Sequence, residues 1–149
     1  MNVTEAVASR RSVRKFLDMP VGKAVLERIL TKAQNAPSGG NTQPWNAHIL
    51  TGEPLQRLIN TVAPFVMQGR AGMSTEYDVY PKGLEGRYEE SRQGVGEAMY
   101  AALQIPREEK MARLAQFAAN FRGFDAPVVM FIHTPRYMGP PQWSDMGMW

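Results

Sequence analysis

The chain has 149 residues, enough for one domain with a real core, and its 44% hydrophobic and 21% charged residues are the balance of an ordinary globular protein. Its net charge is +3 and it has no cysteine, which excludes disulfides, thiol catalysis and thiolate-held iron–sulfur clusters. No apolar run approaches the roughly 20 residues that span a bilayer, and Asn2, Thr4 and Glu5 stand where a signal peptide would turn apolar, so a cytoplasmic protein with no membrane partner, a single domain over 1–149, is expected.

The first element is a short helix over about 2–9. Asn2 with Glu5 three residues on resembles a capping box, and Val3, Ala6 and Val7 form one apolar stripe. It runs into Arg10-Arg11-Ser12-Val13-Arg14-Lys15-Phe16, where four basic groups fall within six residues. In an extended chain Ser12 and Arg14 point to one side and Val13 to the other, so a hydroxyl and several guanidiniums can converge on one anion. The competing reading is a solvated basic helix end, which the helix dipole favours anyway. A nucleic-acid surface would spread its basic groups along a face with interleaved aromatics, so no nucleic-acid partner is expected. Phe16 is expected to anchor the core.

A second helix is predicted over 23–35, with Leu26, Ile29, Leu30 and Ala33 at helical spacing and Pro37 beyond its end. Residues 36–45, Ala-Pro-Ser-Gly-Gly-Asn-Thr-Gln-Pro-Trp, are the most informative stretch of the chain. Gly39 and Gly40 permit positive φ and close approach of another molecule, Pro37 and Pro44 stiffen the path, and Ser38, Asn41, Thr42 and Gln43 supply donors and acceptors suited to a flat, heteroatom-edged ligand. An ordinary helix cap and polar turn is the alternative. A strand follows over 45–51, with Ile49 and Leu50 implying burial on both faces.

Next come an amphipathic helix over 53–66, carried by Leu55, Leu58, Ile59 and Val62 and disturbed near its end by Pro64, and a stretch over 69–90 with no sustained period. That stretch reads as a long loop, either a lid whose Tyr77, Tyr80 and Tyr88 close over a ligand or a surface excursion. Helices are predicted over 91–104 and 106–121, the second with Pro106 in its first turn and Met111, Leu114, Ala115, Ala118 and Phe121 facing the core. Residues 126–134 read as a buried strand. His48 and His133, one in each strand, are read as packed residues, with no metal site expected. Residues 135–142 read as a loop and 143–149 as the opening of a helix capped by Ser144 or Asp145. Two strands make a poor sheet unless covered, so the chain is expected to stop inside a domain or to have its core completed by another chain.

The segments 10–16 and 36–45, in that order, strongly resemble the FMN-dependent nitroreductase family, and Asn120-Phe121, Phe124-Asp125-Ala126-Pro127 and Gln142-Trp143-Ser144-Asp145-Met146-Gly147-Met148 are similar to the corresponding parts of it. The resemblance implies an α+β fold, helices around a small central sheet, completed by homodimerisation, with flavin sites at the dimer interface. It implies that Arg10, Arg11, Ser12 and Arg14 hold the FMN phosphate, ribityl chain and neighbouring ring edge, while Pro37, Ser38, Gly39 and Asn41, with Gln43 a weaker match, approach the isoalloxazine from the partner subunit. NAD(P)H as co-substrate and a nitroaromatic, quinone or similar small-molecule electron acceptor follow from the same likeness, with no protein nucleophile or catalytic side chain required. Family members are expected to continue past the position of Trp149. A non-catalytic flavin- or nucleotide-binding module is the alternative function.

Overall fold

A computed structural model describes residues 1–68 and 77–149. The chain divides into two compact units, 1–58 with 124–149, and 59–123.

The first unit opens with α1 (Val3–Ser9), whose N-terminus forms the expected reciprocal cap: Glu5 N–H donates to Asn2 Oδ1 and Asn2 N–H to Glu5 Oε2, each at 2.9 Å. α2 (Lys23–Ala33) ends ahead of Pro37, and Leu26, Leu30 and Ala33 form its half-buried face. After a 3-10 turn (Gly39–Asn41) come β1 (Asn46–Thr51) and, directly, α3 (Gly52–Met67). The change from strand to helix without a loop is made at Gly52, whose φ of +51° is open to glycine and strained for other residues. β2 (Val128–His133) pairs antiparallel with β1, with Asn46 opposite His133 and Thr51 opposite Val128. The imidazoles of His48 and His133 stack on this sheet, ring centres 4.9 Å apart and planes 13° from parallel.

Burial on both faces of the strands is corrected by the structure. Ile49 and Leu50 are half-buried, while Phe131 and Ile132 of β2 are exposed. A two-stranded sheet lacks the flanking strands and covering layers that a continuous apolar run needs. Phe16, expected in the core, is likewise exposed, as are Val13, Leu17 and Met19 around it. Among the described residues the unit's buried side chains are Pro44, Trp45 and Leu55, the last on the predicted stripe of α3.

In the second unit, α3 continues through Pro64 to Met67, with Ile59 and Val62 half-buried and Val66 buried on the expected face. α4 (Arg87–Ala102) begins inside the stretch read as a loop, because Glu89, Arg92 and Gln93 form a hydrogen-bonded first turn that apolar periodicity cannot reveal. Of the tyrosines given to a lid, Tyr80 lies under the Arg92 guanidinium and Tyr88 under that of Arg87; residues 69–76 of that stretch lie outside the described residues. α5 (Lys110–Ala118) starts later than predicted: Pro106 heads a separate turn closed by Glu109 N–H to its carbonyl at 3.2 Å. Of the predicted stripe, Ala118 and, just beyond the helix, Phe121 are half-buried, whereas Met111, Leu114 and Ala115 are exposed and Ala112, Arg113 and Gln116 are half-buried in their place, with Arg113 over the Tyr100 ring. A 3-10 segment (Ala119–Asp125) leads back to the first unit. The last helix there, α6 (Pro140–Met148), begins earlier than predicted, with Pro140 at a favoured first position and Gly139 N–H donating to Gln142 Oε1 at 3.2 Å; Ser144 and Asp145 are not its cap.

Candidate functional site

The basic segment leaves α1 in an extended conformation at Arg10, so its side chains alternate and stay in solvent. Arg10 Nη1 donates to Ser12 Oγ at 3.3 Å, which places a guanidinium beside a hydroxyl. Arg14 donates to the Ser12 carbonyl at 3.2 Å, and its guanidinium carbon stands 6.0 Å from the centre of the Phe124 ring. Arg11 folds back, donating at 2.9 Å to the carbonyls of Ala8 and Arg10. That satisfies helix-terminal acceptors, the behaviour of a basic helix end. Among the described residues none of the three guanidiniums meets a carboxylate, so this short segment carries a local excess of positive charge with rigid donor forks. Such an arrangement suits a phosphate, which takes paired charge-assisted hydrogen bonds.

The second element, the turn after Pro37, is folded on itself. Asn41 N–H donates to the Ser38 carbonyl at 2.9 Å, Thr42 N–H to the Gly39 carbonyl at 3.2 Å, and Gln43 N–H to Ser38 Oγ at 2.9 Å. Gly40, Asn41 and Gln43 all have positive φ, of 58°, 54° and 46°. For the two non-glycine residues this costs on the order of 1–2 kcal/mol each, so outside contacts must hold the turn. Two are present. Gly39 N–H donates to Asp145 Oδ2 of α6 at 3.2 Å, and the Trp45 ring stacks on Trp149 at 6.3 Å between centres. Trp45 also donates from Nε1 to Gln34 Oε1 at 2.9 Å. The side-chain amides of Asn41 and Gln43 make no hydrogen bond among the described residues and remain open to a ligand.

Within one chain the residues picked from the sequence therefore form two groups. Arg10, Arg11, Ser12 and Arg14 lie together, Ser38, Gly39, Asn41 and Gln43 follow Pro37 in one turn, and among the described residues no hydrogen bond joins the groups. Sequence reasoning missed Asp145, read as a helix cap, and the pairing of Trp45 with Trp149. The available signal was the four-residue spacing of Asp145 and Trp149 on one helix face, but their targets lie far away in the sequence. Elsewhere, an apolar cavity of about 120 Å³ lies in the second unit against Ile59, Ala63, Val66, Ala118, Phe121 and Arg122. No cluster of three or more metal-ligating side chains occurs among the described residues.

Comparison with known proteins fixes the ancestry of this arrangement. The sequence matches the nitroreductase family over residues 7–148, and the chain belongs to that family. It is 34% identical over 145 residues to a 4-nitrobenzoate reductase of Pseudomonas putida, an alignment covering 95% of this chain and 61% of that relative. The crystal structure of an FMN and NADPH-dependent nitroreductase, NfnB, from Sphigopyxis sp. strain HMH superposes with a TM-score of 0.97 at 54% identity, covering all of this chain and 67% of that one. The FMN-dependent nitroreductase NfnB from Mycobacterium smegmatis, solved in complex with NADPH, superposes with a TM-score of 0.87 at 25% identity, covering 97% of this chain and 64% of that one. The fold is thus the nitroreductase-like α+β arrangement, and the chain spans about three fifths of the length of the curated relative.

Proposed function

We propose that this chain binds FMN and serves an oxidoreductase that takes reducing equivalents from NAD(P)H and passes them to a nitroaromatic, quinone or similar small acceptor, acting as a homodimer in the cytoplasm. The observation that carries the reading is the short segment in which Arg10 donates to the Ser12 hydroxyl, Arg14 to the Ser12 carbonyl and Arg11 to the Ala8 and Arg10 carbonyls, with no carboxylate partner for any of the three guanidiniums among the described residues. A phosphate is the ligand that such a group fits, and relatives that reduce 4-nitrobenzoate and nitrobenzene support the acceptor class.

When bound, FMN supplies the hydride-accepting and electron-donating chemistry. The protein's own contribution is recognition. Arg10, Arg14 and Ser12 hold the phosphate end, and Arg11 joins them by exchanging its backbone partners for the ligand. The turn built from Pro37, Ser38, Gly39 and Asn41, with Gln43, offers a second copy's ring system a flat approach with open amides at its edge. Hydrogen-bond donors there favour the negative charge that a reduced ring carries.

The test is to add FMN to the purified protein, remove excess and record the visible spectrum, then add NADH or NADPH without oxygen, followed by a panel of nitroaromatics and quinones. Flavin absorbance that bleaches with nicotinamide and returns with an acceptor is expected. Bound flavin that does not bleach favours a non-catalytic binding module, and a protein that takes up no FMN overturns the reading.

A further inference from the structure

We propose that Asp145 and Trp149 are positioning residues that clamp the 39–45 turn from one face of α6 and so set its fit to the flavin ring; this rests on the FMN reading above. The two residues are four apart, and Trp149 N–H donates to the Asp145 carbonyl at 3.2 Å, so the helical spacing carries through to the last residue. Both side chains therefore leave the same side of the helix. Asp145 Oδ2 accepts from Gly39 N–H at one end of the turn, and the Trp149 ring lies on Trp45 at the other, planes 24° from parallel.

The stretch between these two points contains the positive-φ residues Gly40, Asn41 and Gln43. A backbone in that region relaxes unless its ends are fixed. The Gly39 amide is the only one of these contacts made to a carboxylate, a charge-assisted bond. A Cβ placed on Gly39 would stand 3.8 Å from the same Asp145 oxygen, ordinary contact distance, which shows how closely the carboxylate covers the turn. Trp149 Nε1 is buried with no hydrogen-bond partner among the described residues, and the ring's contact there is the stack on Trp45.

The clamp predicts different results for closely related variants. Asp145→Asn keeps an acceptor oxygen but not its charge, so it should lose clearly less than alanine in both the protection of the Gly39 amide and FMN affinity. Asp145→Ala should accelerate that amide's exchange and weaken FMN binding, each by about tenfold or more, as expected for loss of a bond to a charged group. Trp149→Phe should retain the stack and the affinity, whereas Trp149→Leu should abolish the tryptophan-pair signal in near-ultraviolet circular dichroism and weaken FMN. Far-ultraviolet circular dichroism checks that each variant is folded, and the Asn and Phe forms carry the test if the others are not. Asparagine losing as much as alanine, or alanine leaving both exchange and affinity unchanged, overturns the clamp. Wild-type protein that takes up no FMN instead overturns the flavin reading and, with it, the clamp's role in cofactor fit.

Discussion

The guanidinium carbon of Arg113 stands 4.0 Å from the centre of the Tyr100 ring, joining α5 to α4. The same side chain donates to the carbonyls of Pro106 and Ile105 at 3.2 and 3.4 Å and lies 3.8 Å from Glu97, so it closes the connection between the helices as well. Arginine can do this because its fork is planar and its face stacks while its edges donate. Arg113→Ala should destabilise the 59–123 unit by about 1–3 kcal/mol, the sum of a cation–π contact and hydrogen bonds to two carbonyls, of which that to Ile105 is part-buried. Arg113→Lys should recover less than half of it. Hydrogen exchange of α4 and α5 amides against urea concentration measures the loss, and equal protection in all three proteins would remove the staple.

Acid should loosen the start of α4 through Glu89. Its carboxylate takes Arg92 Nε and Nη2 at 2.8 and 2.6 Å and Gln93 Nε2 at 2.6 Å, and the Arg92 hydrogen bond, then that of Gln93, holds its pKa down at about 2. A carboxyl that titrates lower when folded than its unfolded value of about 4.3 contributes stability fully above that value and loses it as pH falls toward its folded pKa. Exchange at the first-turn amides of α4 should therefore speed up, beyond the intrinsic pH dependence, as the solution is taken from about pH 4.5 down to about 2. Glu89→Gln should remove that step. A variant profile that overlays the wild type would show that the charge contributes nothing there.

Glu89 also marks where the sequence stopped being legible. Signals confined to a few residues transferred well: the Asn2–Glu5 cap, the halt of α2 before Pro37, the Leu55-to-Val66 face of α3 and the two apolar strands. α4 was missed at its start because polar partners rather than an apolar stripe form its first turn. The face of α5 was misjudged because Arg113, a cation, turns inward over Tyr100, against the rule that places charge outside. In the site, guanidinium forks and a glycine turn are local features, so residue types alone were enough to single out both segments as candidates. The Asp145–Gly39 bond and the Trp45–Trp149 stack were not legible, because both depend on how distant segments meet.

The cap on α1 should govern how the basic segment is presented. α1 has seven residues, is exposed throughout and is too short to be stable alone, so its capping box is a large share of what holds it. Asn2→Ala should cost about 1 kcal/mol of helix stability, and Asn2→Asp should cost little. Since Arg11 Nη1 is tied to the Ala8 and Arg10 carbonyls at the other end, the alanine variant should also shift the Arg11 Nη–H resonances toward those of free arginine. Faster exchange at the Glu5 and Ala6 amides, whose acceptors are Asn2 Oδ1 and the Asn2 carbonyl, reports the same event. No change at either place would show that α1 is held by something other than its cap.

Arg14 offers the most direct test of phosphate recognition. It bonds only to the Ser12 carbonyl within its segment and sits at the outer limit of a cation–π contact with Phe124, so little intramolecular binding has to be given up when an anion arrives. Arg14→Ala should weaken FMN by about 1.5–3 kcal/mol, roughly 10- to 150-fold in Kd, the range for a hydrogen bond to a charged group. Arg14→Lys should lose part of this, because charge remains while the paired donors do not. Riboflavin has the same ring and ribityl chain without the phosphate, so its affinity should be nearly equal in wild type and Arg14→Ala. Quenching of flavin fluorescence on titration measures all five constants. Equal losses for FMN and riboflavin would move Arg14 away from the phosphate, and unchanged FMN affinity would take it out of the site.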